Sequence, residues 1–425
     1  MIEINGEVKK IMELIESSGY EVYLVGGFVR DSIIERENKD YDLCTNMPFD
    51  EMKKIIPEMK VMRENGHRNT CVFRRNGEDI EISAFRGNNL KDDLSCRDFT
   101  INSIALNSKG EIVDLVGGRE DIEKKVIRLS DKSGNSLRVD PLRILRAVRF
   151  AGVLGYEIDV ETYKHMVNKK DLLNDVAPER IYVELSKILL CDRPGDLIRK
   201  YKEVVCEVIP ELKPLIGFEQ NNPFHMYDVF DHTMEVLNNT QKQHNLRFAA
   251  LFHDTGKPES YSVDENGIGH FYGHPKVSTD KFTAFAERMR IDKKSTSNIQ
   301  KLIFFHDVTL GKKTKSMNKF IQLFGEEYID LLFDLKLADI MGQHSDKLNR
   351  VTEINKLREM YINYLNSSPV LKIKDLDIDG RDLKKMNFDG KIIGIILKDV
   401  LDMVSSEELN NNRDEIEAYI TNKYR

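Results

Sequence analysis

The chain has no tryptophan, and its 425 residues include only five cysteines and eleven prolines. Cys44, Cys71, Cys96, Cys191 and Cys206 are odd in number and scattered, with no C-x-x-C pair, which argues against a disulfide framework and a zinc ribbon. A reduced, cytoplasmic setting is the expectation that follows. Long apolar runs are missing too. The N-terminal stretch lacks the apolar core of a leader, and KIIGIILKDVL is short and broken by lysine, so neither a targeting segment nor a membrane span is expected. No charge sign dominates: 64 Lys+Arg against 71 Asp+Glu leave a net charge of −7. That disfavours an indiscriminate polyanion binder and leaves room for a local basic surface. Without tryptophan or a stripe of spaced aromatics, single-strand binding on stacked rings is not supported. What is present is an ordinary globular composition, 40% hydrophobic and 32% charged. At about 150 residues per domain it predicts two to four domains.

Apolar positions between residues 5 and 18 recur at helical spacing (Val8, Ile11, Ile15). EVYLVGG, DYDLCT, CVFRR, DIEISAF and INSIALN then read as short strands bounded by Gly, Asn or Asp. From about Asp140 onward, DPLRILRAVRFAGVLG, PERIYVELSKILL and HTMEVLNNT carry helical periods and strand signals nearly vanish. Pro178 suits the first turn of a helix, and PLIGFEQNNPFH marks a boundary near residue 220. The predicted fold class is α+β, with a mixed first third followed by helices.

VYLVGGFVRD reads as a strand running through Gly26 and Gly27 into a helix, where glycines let a backbone approach phosphate and a helix start offers unpaired N–H groups. Thirteen residues on, Asp40 and Asp42 alternate along an apparent strand, so both carboxylates point to one face and can share hard cations. Alone, the glycine pair describes a tight strand-to-helix connection, and an isolated D-x-D a charged turn. Together they supply a phosphate cradle and a metal site. Glu81 in DIEISAF is either a third carboxylate or a solvent-facing strand residue.

GGFVRDSIIERENKDYDLCT, CRDFTINSIAL, DPLRILRAVRFAGVLG and PERIYVELSKIL, in that order over about the first 190 residues, resemble the successive motifs of class II tRNA nucleotidyltransferases and bacterial poly(A) polymerases, within the polymerase beta-like superfamily. The resemblance implies a head with a small mixed sheet and a helical neck. It implies Mg²⁺ at Asp40 and Asp42, triphosphate contacts from Gly26, Gly27 and Arg30, and ribose contacts from Arg97 and Asp98. CTP and ATP are the implied nucleotides and tRNA the partner. Asp140 and Arg143, three apart, are expected on one helix face with an acceptor and donors for a base edge; family members select C or A there. Arg146 and Arg149 extend the basic face, and Arg180, Glu184 and Lys187 match the motif that holds the neck together. Cys96 stands where the family has Arg, and Val139 where it has an acidic residue. Between Phe85 and Arg97 lie only RGNNLKDDLSC, shorter than the loop of enzymes that complete CCA, so the segment resembles enzymes that add cytidines alone.

Seven of the ten histidines fall between His225 and His306. Imidazole nitrogens and carboxylates suit divalent transition metals. His232, then His253-Asp254, His270 and His274, His306-Asp307 and Asp339 resemble the HD-domain phosphohydrolases, which implies His232, His253, Asp254 and Asp339 as metal ligands. His274, His306 and Lys257 would be auxiliary. Mn²⁺, Ni²⁺, Co²⁺ or Mg²⁺ is the implied ion. In CCA-adding enzymes of this composition the HD part hydrolyses phosphate monoesters or 2′,3′-cyclic ends.

The expected parts are a head over 1–135, a neck over 136–220, an HD domain over 221–350 and a helical tail over 351–425. GKKTKSMNK (311–319) is a basic patch that either meets RNA backbone or is simply solvated, and Ile393, Leu397 and Val400 share one face of a tail helix. The expected activity is template-independent addition of C, with or without the terminal A, to tRNA 3′ ends. The alternatives are CC-only addition, poly(A) synthesis, or an RNA-end hydrolase with a non-polymerising head. Nothing in the sequence sets an oligomeric state.

Overall fold

The Asn5 side chain accepts the Glu7 N–H and starts helix α1 (Gly6–Ser17), which buries Val8, Ile11, Met12 and Ile15, the face its spacing predicts. The computed structural model describes residues 2–57, 59–64, 68–75, 78–221, 227–343, 348–367 and 369–425. Contacts divide the chain into two units, Met1–Cys191 with Tyr201–Val208, and Asp192–Lys200 with Ile209–Arg425.

The first unit contains a mixed seven-stranded sheet. Its strands are β1 (Val22–Val25), β2 (Tyr41–Thr45), β3 (Lys60–Glu64), β4 (Arg68–Arg75), β5 (Glu78–Ala84), β6 (Ile104–Leu106) and β7 (Ile112–Asp114). They lie in the order β3-β4-β5-β2-β1-β6-β7, and only β2 and β5 pair in parallel. On β2, Leu43 and Cys44 are buried while Asp42 stays half-buried, so the strand packs its apolar residues and leaves one carboxylate at the surface of the core. Gly26 ends β1 and caps helix α2 (Gly27–Ile33). The short RGNNLKDDLSC segment folds as helix α3 (Leu90–Ser95), whose Leu90 and Leu94 pack with Val25 and Cys44.

Two neck helices follow, α4 (Arg143–Leu154) and α5 (Pro178–Leu189), the second with Pro178 in its first turn as expected. Asp140 does not share a helix with Arg143, which corrects the expectation of one helical face. Pro141 disfavours the α conformation at the residue before it, and Asp140 sits extended at φ −142°, ψ 91°, ahead of the helix. Strands also persist beyond Asp140, each of two residues and too short to leave a period: Glu157–Ile158, which pairs with Val126–Ile127 ahead of Asp140, and Ser262–Val263 with Gly269–His270.

The second unit starts from α6 (Pro194–Lys200) and runs through α7 (Val229–Asn239), α8 (His244–Phe252), α9 (His274–Arg288), α10 (Lys293–Phe305) and α11 (Ile329–Gly342). Phe248, Phe252, Phe282 and Phe285 form its aromatic core. The tail helices α12 (Lys391–Ser405) and α13 (Arg413–Tyr424) bury Ile396, Leu397, Val400, Ile416 and Ile420 together, with Ile393 half-buried beside them. In the basic stretch 311–319, Lys315 pairs with Glu408 at 2.8 Å. The boundary expected at PLIGFEQNNPFH lies partly outside the described residues; the division by contacts falls at Ile209, with α6 assigned to the second unit. Among the described residues no helix is long and apolar enough to cross a membrane.

Candidate functional site

The head residues singled out by sequence converge on one cavity of about 570 Å³ in the first unit. Gly26, Gly27, Arg30, Asp40, Asp42, Arg97, Asp98, Asp140, Arg143 and Arg146 all line it. Gly26 adopts φ 77°, ψ −139°, a region that favours glycine, and a Cβ there would lie 3.1 Å from Asp42 Oδ2. The antiparallel register pairs Val25 with Asp42, which brings the glycine bend against the carboxylate. Asp40 precedes β2 and is exposed. Burial, reinforced by Asp40, raises the Asp42 pKa against the pull of Arg97 and Arg86. A buried carboxylate that holds on to its proton, with a second carboxylate beside it, is a donor set suited to a divalent cation in the proton's place. Glu81 stands beside Asp42 in the parallel β2/β5 register, exposed and outside the cavity lining.

Charge in the cavity opposes that of the chain as a whole. Seven arginines (Arg30, Arg86, Arg97, Arg143, Arg146, Arg149, Arg180) face four aspartates (Asp40, Asp42, Asp98, Asp140). Most of these arginines are anchored. Arg30 is buried, bonds both oxygens of Asp31 at 2.8 Å, and donates to Asn102 Oδ1 at 2.6 Å. Arg97 donates twice to the fully buried Asp93, at 2.9 and 2.8 Å, and Asp93 also accepts the Arg86 N–H. Asp98 accepts from Arg146 at 3.0 and 2.5 Å, from Asn102 at 3.1 Å and from the Phe99 N–H at 2.9 Å. Burial opposes its ionisation, but the Arg146 charge and these hydrogen bonds overcome it and lower the pKa to about 2. Arg143 donates to the carbonyls of Cys96 (2.8 Å) and Arg97 (3.1 Å), while Asp140 accepts from Arg180 at 3.3 Å. Arg149 Nε lies 3.0 Å from Glu184, which ties α4 to α5 as the neck motif implies.

Asp31, Asp93 and Asn102, which orient these arginines, escaped the sequence reading. Asp93 had one usable signal, its position four residues before Arg97 at a helix end.

The second unit gathers His232, His253, Asp254, His274, His306 and Asp339. They form two groups, His232/His253/Asp339 and Asp254/His274/His306, with the ligand atoms of each within 4.8 Å of one another. Asp254 lies between the groups: Oδ2 is 3.3 Å from His232 Nε2 and 3.2 Å from His253 Nε2, while Oδ1 is 3.2 Å from His274 Nε2 and 3.7 Å from His306 Nε2. Asp339 Oδ1 is 3.1 Å from His232 Nε2.

All four imidazoles are aimed in the same way. Nδ1 of His232, His253, His274 and His306 lies 2.7–3.1 Å from the carbonyls of Gly342, Ala250, Phe271 and Ile303. A carbonyl only accepts, so each Nδ1 carries the proton and each Nε2 turns a lone pair inward, the arrangement that orients histidines toward metals. His232 Nε2 and His253 Nε2 are 3.4 Å apart, those of His274 and His306 3.2 Å, and buried Asp254 Oδ2 has no well-directed hydrogen bond although Lys257 Nζ lies 2.7 Å away. Acceptors facing acceptors need a cation between them, and ligands ~2 Å from an ion sit ~3 Å from each other. The residues fit divalent metal.

Burial and the neighbouring carboxylates act in opposite directions on these imidazoles. Burial disfavours the charged form of His232, yet Asp254 and Asp339 carry its pKa up to about 9; burial and the neighbouring His253 push His306 down to about 3. Asp254 is held well below the usual carboxylate range against burial by His253 and Lys257. Lys257 also donates to Gln220 at 2.8 Å. His270 does not join these groups; it bonds Asp264 at 3.0 Å. Gly342 was not foreseen: a Cβ there would press to 2.6 Å from Val236, so its absence lets α11 close on α7 and place its carbonyl on His232.

A match to a known domain spans each centre. A family model described as poly A polymerase head domain matches residues 22–89 and 86–128, one described as a probable RNA- and SrmB-binding site of polymerase A matches 155–215, and the HD domain matches 225–342. A CCA-adding enzyme of Streptococcus pneumoniae serotype 19F is 36% identical over 197 residues, 42% of this chain and 49% of that protein. The match thus spans about half the length of that relative. A CCA-adding enzyme of Bacillus pumilus is 26% identical over 97% of this chain and 95% of its own length. The Bacillus stearothermophilus CCA-adding enzyme in complex with CTP superposes with a TM-score of 0.69 at 21% identity, covering 99% of this chain and 97% of that one, which establishes a shared fold. The head, RNA-binding and HD matches follow one another along one chain, and the metal-suited carboxylates Asp40 and Asp42 sit within the first of them, so the chain is similar to proteins that carry a poly A polymerase head domain followed in sequence by an HD domain.

Proposed function

We propose that this chain is a tRNA nucleotidyltransferase that adds C and then A to tRNA 3′ ends from CTP and ATP without a nucleic-acid template and releases pyrophosphate. The observation that carries this reading is the single cavity in which Asp40 and Asp42 meet the Gly26–Gly27 bend under a wall of arginines. Mg²⁺ held by Asp40 and Asp42 would activate the terminal hydroxyl and steady the leaving group. The Gly26–Gly27 backbone binds the triphosphate, helped by those Arg30 and Arg97 N–H groups that Asp31, Asn102 and Asp93 leave unused. Asp98, kept ionised by Arg146, accepts from a ribose hydroxyl. Asp140 and Arg143 read the base edge once they exchange Arg180 and the Cys96 and Arg97 carbonyls for it. The working division is a head over 1–135, a neck over 136–220, an HD domain over 221–350 and a tail over 351–425, in a cytoplasmic protein.

In the same proposal the HD domain is a phosphohydrolase of monoesters or 2′,3′-cyclic ends that would hold two divalent ions (Mn²⁺, Ni²⁺, Co²⁺ or Mg²⁺), one at His232/His253/Asp339 and one at Asp254/His274/His306. The orientation of four imidazoles by backbone carbonyls supports that count.

The test is tRNA ending at its discriminator base, incubated with labelled CTP and ATP and Mg²⁺ and resolved at single-nucleotide length. Products ending in CCA are expected. A ladder stopping at CC would assign the chain to the CC-adding alternative suggested by the short 86–96 segment, and long A tails to poly(A) synthesis. Asp40→Ala and Asp42→Ala should each abolish extension; incorporation by either variant would overturn the site assignment.

A further inference from the structure

Two residues before His274, on the same segment, an aromatic ring stands in solvent. Tyr272 is 79% exposed, yet its ring is not free to wander: it stacks on His270 with centroids 5.3 Å apart and planes 9° apart, and its hydroxyl lies 3.5 Å from His270 Nδ1. His270 is fixed in turn by Asp264 Oδ2 at 3.0 Å and by strand pairing with Ser262. The intervening Phe271 packs on Tyr261 (5.5 Å) and under Lys257 (5.2 Å), the lysine that reaches Asp254 of the metal-suited cluster. Gly273, at φ 80°, turns the chain into α9, and His274 follows with Nε2 aimed at Asp254. By chain geometry the Tyr272 and His274 Cα atoms are at most about 7 Å apart, roughly the reach of one ribose. A lone exposed aromatic needs no explanation. One clamped parallel to a pinned imidazole and joined through a single glycine to a ligand histidine presents an open, pre-oriented π face beside a phosphate-cleaving centre.

We propose that Tyr272 is a stacking platform for the base of a nucleotide whose phosphate enters the HD centre, so that this centre acts on nucleotides or RNA termini in preference to phosphate esters that lack a base. The proposal rests on the hydrolase reading of the HD domain and names its substrate class. Stacking is tolerant of base identity, because every base has a π face. It strengthens binding without touching the reacting phosphate, so its signature lies in KM and leaves kcat little changed.

The experiment compares full-length wild type, Tyr272→Ala and Tyr272→Phe, loaded with Mn²⁺, on adenosine 2′,3′-cyclic phosphate, adenosine 3′-phosphate and ribose 5-phosphate. The preference for the two nucleotides over ribose 5-phosphate, expressed as a ratio of kcat/KM, should fall about 5- to 140-fold in Tyr272→Ala, the range for loss of one base–aromatic stack, and persist in Tyr272→Phe. An unchanged ratio in Tyr272→Ala would overturn the proposal. A second readout needs no turnover. Tyr272→Trp installs the sole tryptophan in a chain that has none, and its emission should be quenched by adenosine 3′-phosphate but not by ribose 5-phosphate. Equal responses to both, or none to the nucleotide, would also overturn it. An oligoribonucleotide with a 2′,3′-cyclic end, run beside the free nucleotide, shows by the lower KM which source the platform serves. If wild type hydrolyses none of the phosphates with Mn²⁺, Ni²⁺ or Co²⁺, the hydrolase reading falls, and the emission titration still decides the stacking site.

Discussion

Replacing Gly26 with alanine should damage folding and catalysis by two separable routes. Its backbone, at φ 77° and ψ −139°, lies where a side chain is strained by ~1–3 kcal/mol. For a unit of this size, each kcal/mol shifts Tm by about 2–4 °C, so a fall of ~2–12 °C is expected. The second route is steric. The added Cβ would come 3.1 Å from Asp42 Oδ2, tight enough that the carboxylate must give by a few tenths of an ångström. A misplacement of ~1 Å costs about 10²-fold in rate, so a smaller shift should cost on the order of 10-fold in CTP incorporation. Gly19→Ala is the control that separates the routes. Gly19 also has a positive φ, 87°, but a Cβ there meets nothing within 4 Å. It should lower Tm and leave incorporation by the folded protein at the wild-type rate. Single-turnover CTP incorporation, measured well below each variant's Tm, gives the answer. Wild-type incorporation by Gly26→Ala, or an equal loss in Gly19→Ala, would refute the idea that the missing side chain protects the metal-binding carboxylate.

Two further outcomes follow from the buried charges. The folded pKa of Asp98 is depressed to about 2 from 3.8, so its stabilisation is complete above the unfolded value and drains as pH falls through the folded one. At ~1.4 kcal/mol per unit this amounts to ~2 kcal/mol, roughly half of it lost by pH 3. Arg146→Gln should therefore flatten the fall in urea midpoint between pH 5 and pH 3; parallel curves for variant and wild type would deny the pair this role. In the second unit, equilibrium dialysis against Mn²⁺ followed by elemental analysis, run in an Asp40→Ala/Asp42→Ala background so that the head site is removed, should find two ions per chain with the histidine cluster intact and one once His306→Ala is added. Asp254→Asn in the same background, which alters the carboxylate between both groups, should retain fewer than His306→Ala; two ions retained by Asp254→Asn would remove Asp254 from the argument.

What was legible in the sequence is what local periodicity and residue chemistry control. The Gly26–Gly27 bend falls where expected, because a double glycine interrupts a strand. Of the D-x-D pair only Asp42 lies on the strand, Tyr41–Thr45, and Asp40 precedes it, so strand alternation does not place the two carboxylates. The chemistry of the HD cluster was visible in its histidines. The three-residue spacing of Asp140 to Arg143 predicts one helix face, but Pro141 disfavours the helical conformation just before it and holds Asp140 off the helix. That is a local signal.

The remaining features depend on neighbours far apart in the chain. Asp31 and Asp93 look like ordinary surface acids in sequence, and only burial against Arg30 and Arg97 turns them into the groups that hold the cationic wall in place. The assignment of 192–200 to the second unit has a similar origin: a Cβ on Gly195 would meet the Met234 carbonyl at 2.0 Å, so α6 seats on α7 through a missing side chain that no period announces. The same distinction separates ligand identity from ligand grouping in the HD centre. Residue type suggested which side chains bind metal, but the division into two groups comes from four backbone carbonyls, each fixing one imidazole by its Nδ1. A backbone carbonyl carries no sequence signature, because every residue has one. Its effect appears only when the chain has folded and the inward Nε2 atoms, with Asp254 between them, are left needing positive charge.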